Sequence, residues 1–232
     1  MGHVKALGGD SAANPPLPAC ATHVRSGPHA AAHDLKNVLG MEAWARLPTA
    51  VQARFSDSAQ TVDYTGEFEI VRASSLGRLI AWACRLIGTP VAPHIGQDVP
   101  AVVRVRPTDR GVEWRREYRW PDRRPSIVRS TKVIESGGTL VEELSAGLCM
   151  SLKAYEAAAG LHFVSHDYYF HCSVPLLGVR VRLVLPRWLS PGTTHVEHID
   201  LADGWFRFTM TVTHPLLGEV FHQSGCFRSS GD

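Results

Sequence analysis

Residues 99–120 read VPAVVRVRPTDRGVEWRREYRW, and their alternation decides the fold. Val99, Ala101, Val103 and Val105 fall on one side of an extended chain, with Val102, Arg104 and Arg106 on the other. Successive side chains on a strand point to opposite faces, so a period of two marks a half-buried strand. The pattern breaks at Thr108-Asp109-Arg110-Gly111. It then resumes with Val112, Trp114, Tyr118 and Trp120 set against Glu113, Arg115, Glu117 and Arg119. Two alternating runs joined by a short Gly-containing turn predict an antiparallel hairpin.

Toward the C-terminus the same reading repeats. Strands are expected near 126–135, 139–145, 148–154, 161–172, 179–185, 193–200, 205–213 and 220–227. Phe206, Phe208, Met210 and Val212 share one face of the run at 205–213. Upstream, Val62, Tyr64, Phe68 and Ile70 share one face of a strand from 61, opposite Asp63, Thr65, Glu67 and Glu69. Helices are confined to the first part of the chain. Residues 76–87 form one, with Ser74 or Ser75 to cap it and Gly88 and Pro90 to stop it. Two short helices are expected around Pro48, with Trp44 and Leu47 turned to a core.

About ten short strands on tight turns make antiparallel neighbours, and an open sheet of that size curls or closes. The expected class is α+β, mainly antiparallel β: a strongly curved sheet or partly open barrel with N-terminal helices packed against it. Residues 35–228 form this single domain. Residues 1–34, rich in Ala, Gly, Pro and His without periodicity, are expected to be a disordered tail. At 232 residues the chain needs neither disulfides nor metal to hold a core.

Twenty-four basic residues nearly balance 22 acidic ones, so the charge gives no sign of a nucleic-acid partner. No stretch reaches the roughly 20 apolar residues of a membrane span, since Arg78 and Arg85 interrupt the longest. Cys20, Cys84, Cys149, Cys172 and Cys226 are dispersed and form no CxxC pair, which is the pattern of reduced thiols in a cytoplasmic protein.

The order Leu185-Pro186-Arg187-Trp188-Leu189-Ser190-Pro191, then Glu197, then Gly204-Trp205-Phe206-Arg207-Phe208, then Pro215-Leu216-Leu217-Gly218 resembles the bacterial family called domain of unknown function 4166. Leu47-Pro48, the strand 66–70, the helix 76–88 and Asp98-Val99-Pro100 fit the same resemblance. Members look like C-terminal appendages of NAD(P)-binding oxidoreductase-like chains, which implies a partner of that kind. The resemblance implies no catalytic residue.

Among chemistry-bearing motifs, GxSxG, P-loop, GxGxxG and HExxH are all absent. Ser165-His166-Asp167 cannot converge on a strand. Glu142 and Glu143, as strand neighbours, face opposite ways. His162 and His166 share a face of one strand, as His195 and Glu197 do of another. If those strands met, a His and carboxylate metal site would form; nothing in the sequence pairs them, and neither a metal nor another cofactor is expected. Arg187 and Trp188 sit in a corner fixed by Pro186 and Pro191, where a cation and an aromatic wall could hold an anionic, partly apolar ligand.

The expected function is a non-catalytic binding module for a hydrophobic or amphipathic small molecule, with Arg187, Trp188, Tyr168, His166 and His195 as ligand-binding candidates. A small enzyme using a His, Asp or Glu acid–base group is the first alternative. A docking domain for an oxidoreductase-like partner is the second. The outward face of the 76–87 helix, with Arg78 and Arg85, fits either snorkelling arginines or a membrane surface.

Overall fold

The computed structural model describes residues 35–56, 60–86, 92, 94–135, 137–145, 147–174 and 179–231. The expected tail and the expected helix stops Gly88 and Pro90 lie outside them.

The described residues begin with three short helices, α1 (Leu35–Leu39), α2 (Met41–Arg46) and α3 (Thr49–Phe55). They stand in place of the two expected, because Gly40 at φ 87° breaks the first run. Pro48 opens α3, and its carbonyl accepts the N–H groups of Val51 and Gln52 at 2.9 and 3.0 Å. Trp44 and Leu47 are buried, as expected. Next come β1 (Val62–Ala73) and α4 (Ser75–Leu86). The Ser74 hydroxyl caps α4 by accepting the Gly77 N–H at 2.9 Å.

The rest is sheet: β2 (Gly96–Thr108), β3 (Gly111–Tyr118), β4 (Ser126–Ile134), β5 (Leu140–Ser145), β6 (Leu148–Ala157), β7 (Gly160–Val174), β8 (Val179–Val184), β9 (Thr193–Asp200), β10 (Trp205–His214) and β11 (Gly218–Ser229). The hairpin read from residues 99–120 is present, turning at Asp109-Arg110, with the Thr108 hydroxyl donating to the Gly111 carbonyl at 2.9 Å.

Every pairing is antiparallel, in the order β6-β5-β4-β3-β2-β1-β11-β10-β9-β7-β8, and β6 also pairs with β7. That last pairing closes ten strands into a barrel and leaves β8 outside, on β7 alone. The curling goes to completion for ten strands, and β8 is left as an edge strand on the outside. β7 serves both partners in turn: residues 160–164 pair with β9, and residues 169–174 pair with β8. A register shift against β6 between Met150 and Leu152 marks the changeover, at His166 and Asp167.

One expected face is corrected. β1 shifts register against β11 between Phe68 and Ile70, so Val71 is buried while Ile70 is only half-buried. A bulge flips every residue beyond it to the other face. The bulge adjoins Gly66 and Gly225, where a Cβ would run into the partner strand's carbonyl at Cys226 or Glu67. Only glycine lets the wall close this tightly.

The twelve residues of β1 span roughly 36 Å and set the two ends of the barrel. α1–α3 precede its first residue and plug that end, with Phe55 stacked on Trp114 at 5.6 Å inside the wall. α4 leaves from its last residue and covers the opposite end, where Gly77 rests on the Val220 carbonyl. Between them, Phe68 stacks on Tyr118 at 4.8 Å and meets Phe227 edge-on at 5.1 Å. Burying such rings contributes about 1.5–3 kcal/mol each.

Candidate functional site

Under α4 the barrel is not filled. A cavity of about 50 Å³ lies between Gly77, Ile80 and Ala81 of the helix and the inner wall. That is a narrow slot, smaller than most small-molecule sites and suited to a slender chain more than to a ring system. Met150, Val196, Met210, Val212, Val220 and Phe221 supply its apolar surface, and Arg116, Ser130 and Glu142 supply polar groups.

Those polar groups sit on the inner rows of β3, β4 and β5. Arg116 and Glu142 are buried, and Arg116 reaches toward the Ser130 hydroxyl at 3.4 Å. Glu142 pairs with Lys132 at 3.1 Å, both side chains nearly inaccessible. Burial would raise the Glu142 carboxyl, but the Lys132 and Arg116 charges, with hydrogen bonds from Ser130 and Lys132, outweigh it and hold the group below its ordinary value. Lys132 is pulled down by burial, against the attraction of Glu142. Two cations therefore face one carboxylate beside an apolar cavity, and a guanidinium keeps its charge when buried.

Nearer the α3 end lies His198, 2% exposed and ringed by Phe55, Trp114, Phe163, Phe206 and Phe208. Burial, then the charges of Arg54, Lys132 and Arg116, depress its pKa well below 6.5, so the ring is neutral. Its Nδ1 is a buried atom without a hydrogen-bond partner among the described residues.

Outside the wall, where β7 leaves β9, a polar cleft is lined by Ser165, His166, Asp167, Tyr168, Arg187 and Thr193, among others. Tyr168 borders both spaces. Its hydroxyl lies 2.6 Å from that of Thr194, and the Thr194 N–H donates to the Ser165 hydroxyl at 2.8 Å. The two bonds partition cavity from cleft.

The sequence-derived candidates thus divide. Tyr168, His166 and Arg187 meet at the cleft, and Tyr168 alone among them also touches the cavity. The corner at Arg187 and Trp188 is folded as one turn: the Pro186 carbonyl accepts the Leu189 and Ser190 N–H groups at 2.9 and 3.0 Å. Trp188 is 65% exposed and lines neither space. His195 lies elsewhere, on the outer wall, and the condition set for a metal cluster is met there. β7 and β9 are neighbours, with His162 opposite Glu197. His195 joins that pair and His166 does not. Ser165, His166 and Asp167 form no triad, since Ser165 is spent on Thr194 while His166 and Asp167 stand 3.8 Å apart outside.

Arg116, Lys132, Glu142 and His198 were not among the candidates. Each interrupts an inward apolar row: Trp114, Arg116, Tyr118; Val128, Ser130, Lys132; Leu140, Glu142; Val196, His198. A charge in the buried register of a strand was the available signal.

The α4 end also carries exposed apolar groups. Leu79 and Trp82 on the helix's outer face, Leu183, Trp188 and Leu189 after β7, and Leu216 between β10 and β11 are all exposed. Arg78 is exposed among them; the Arg85 side chain lies outside the described ones. Among the described residues no helix is long and apolar enough to cross a membrane.

No curated protein and no solved structure matches the chain. Residues 47–227 match the family model described as domain of unknown function (DUF4166). That span runs from the start of α3 through all eleven strands, so the family signature is the barrel itself with its roof helix, and the chain belongs to the DUF4166 family.

Proposed function

We propose that this protein is a non-catalytic binding module for an amphipathic small molecule with a slender apolar chain and an anionic head. The observation that carries this reading is the cavity beneath α4, walled by apolar side chains and bordered by buried Arg116. Apolar contacts would supply most of the affinity, and the cation would fix the head group.

The acid–base groups weighed for catalysis support binding over turnover. His166 and Asp167 lie in the outer cleft, and His195 and Glu197 on the outer wall, so none of them lines the cavity. The exposed apolar side chains at the α4 end give an apolar ligand a low-cost approach to the roof.

Native mass spectrometry of freshly purified protein, followed by organic extraction, tests the reading. A co-purifying adduct that extracts as an acidic lipid-like compound is the expected result. Protein that is ligand-free and also ignores long-chain carboxylates, isoprenoid phosphates and hydrophobic fluorophores would contradict it.

A further inference from the structure

On the outer wall near the α3 end, two strands bring nitrogen and oxygen atoms of three residues to one point. His162 of β7 offers Nδ1, and His195 and Glu197 of β9 offer Nε2 and a carboxylate oxygen. The separations are 3.2 Å between the two nitrogens, and 3.5 and 3.9 Å from His162 and His195 to Glu197 Oε1. Ligands about 2.0 Å from a tetrahedral zinc ion lie about 3.3 Å from one another. The two separations from His162 are close to that edge, and the third, between His195 and Glu197, is longer at 3.9 Å, so a small approach of the two exposed-side ligands completes the face of such a tetrahedron.

The surroundings orient the ligands. His162 is 6% exposed, and its Nε2 lies 3.0 Å from the Ala157 carbonyl. A carbonyl only accepts, so Nε2 carries the ring proton and Nδ1 presents its lone pair to the cluster. This is the outer-shell arrangement that fixes a ligating imidazole. The Tyr155 ring stacks on His162 at 5.0 Å, and its hydroxyl stands 3.1 Å from His195 Nε2. One proton on His195 Nε2 can satisfy only one of its close neighbours, Tyr155 Oη, His162 Nδ1 or Glu197 Oε1. A shared cation satisfies the converging lone pairs at once.

We propose that His162, His195 and Glu197 bind a divalent cation of the zinc class, with a fourth position open beside the Tyr155 hydroxyl. Two imidazoles and a carboxylate are a donor set zinc accepts. The ion joins β7 to β9 just before β7 leaves for β8, so it braces the barrel at its point of divergence.

Full-length protein without an affinity tag, stripped by a chelator and titrated with cobalt(II), provides the test. One cobalt per chain shows the intense visible absorption of a tetrahedral ion and is displaced by zinc. His195→Ala and Glu197→Gln, both at half-exposed positions, each weaken that binding at least tenfold to a hundredfold, while His166→Ala leaves it unchanged. Zinc raises the melting temperature of the wild type and not of His195→Ala. A weak octahedral spectrum, or binding that survives both substitutions at the cluster, overturns the proposal.

Discussion

The hydroxyls of Tyr168 and Thr194 lie 2.6 Å apart where β7 parts from β9, and they separate the inner cavity from the outer cleft. A barrel wall whose strands diverge exposes backbone groups unless side chains replace the missing ladder. Ser165, Tyr168 and Thr194 perform that replacement, since the Ser165 hydroxyl accepts the Thr194 N–H and the Tyr168 and Thr194 hydroxyls share a hydrogen bond.

Tyr168→Phe and Thr194→Val each remove one side of this bond. Each takes a hydrogen-bond partner from a buried side chain, at a cost of about 1–3 kcal/mol. The double substitution costs less than the sum. Urea unfolding of the four proteins reads the coupling, and strict additivity would show that the two hydroxyls do not interact.

Glu142→Gln strips the carboxylate that is joined to Lys132 at 3.1 Å. Breaking one partner of a buried pair costs about 3–5 kcal/mol, because the remaining charge is stranded. The joint replacement Lys132→Met with Glu142→Leu recovers most of that loss, although it leaves Arg116 without a counter-charge. Denaturant midpoints check both, and a Glu142→Gln protein as stable as the wild type would contradict the buried pairing.

His198 makes stability depend on pH. Its folded pKa is depressed, by burial first, so the unfolded chain takes up a proton below about 6.5 while the folded chain does not. Stability therefore falls as pH drops through that value, by at most about 1.4 kcal/mol per pH unit from this group. His222 is depressed too, also by burial first, and adds to the slope. The depressed carboxyls of Asp63 and Glu142 contribute only at lower pH. His198→Phe flattens the slope of stability between pH 6.5 and 5, and an unchanged slope would place the titration elsewhere.

Gly77→Val drives a side chain into the Val220 carbonyl on which α4 rests. The helix is displaced from the barrel end, so the melting temperature falls and ligand retention is lost, while the sheet signal in circular dichroism persists. Leu79→Ser on the exposed face of the same helix changes stability by less than about 0.5 kcal/mol. Equal effects from the two would mean that α4 does not dock through Gly77.

Much of this architecture was legible locally. The alternation at 99–120 placed β2, its turn and β3, and the pair Ser74-Ser75 marked the start of α4, because these depend on neighbours in sequence. What failed depended on partners far along the chain. Ile70 gave way to Val71 because the bulge exists only against β11. The closure of β6 on β7, and the meeting of His162 with His195 and Glu197, are pairings that periodicity cannot specify. The interior cation is different: Arg116 lies between Trp114 and Tyr118 on an apolar row, so its inward place follows from local alternation alone.

Calorimetric titration of a long-chain fatty carboxylate into delipidated protein tests the binding account most directly. One molecule should bind per chain. Ala81→Trp, which fills the space under the roof, should abolish binding without unfolding the protein. Arg116→Met should weaken it by about 1.5–3 kcal/mol, the scale of a hydrogen bond to a charged group, and Arg187→Ala should leave it unchanged. Binding that ignores Ala81→Trp but is lost with Arg187→Ala would move the ligand to the outer cleft, and no binding at all would contradict the account.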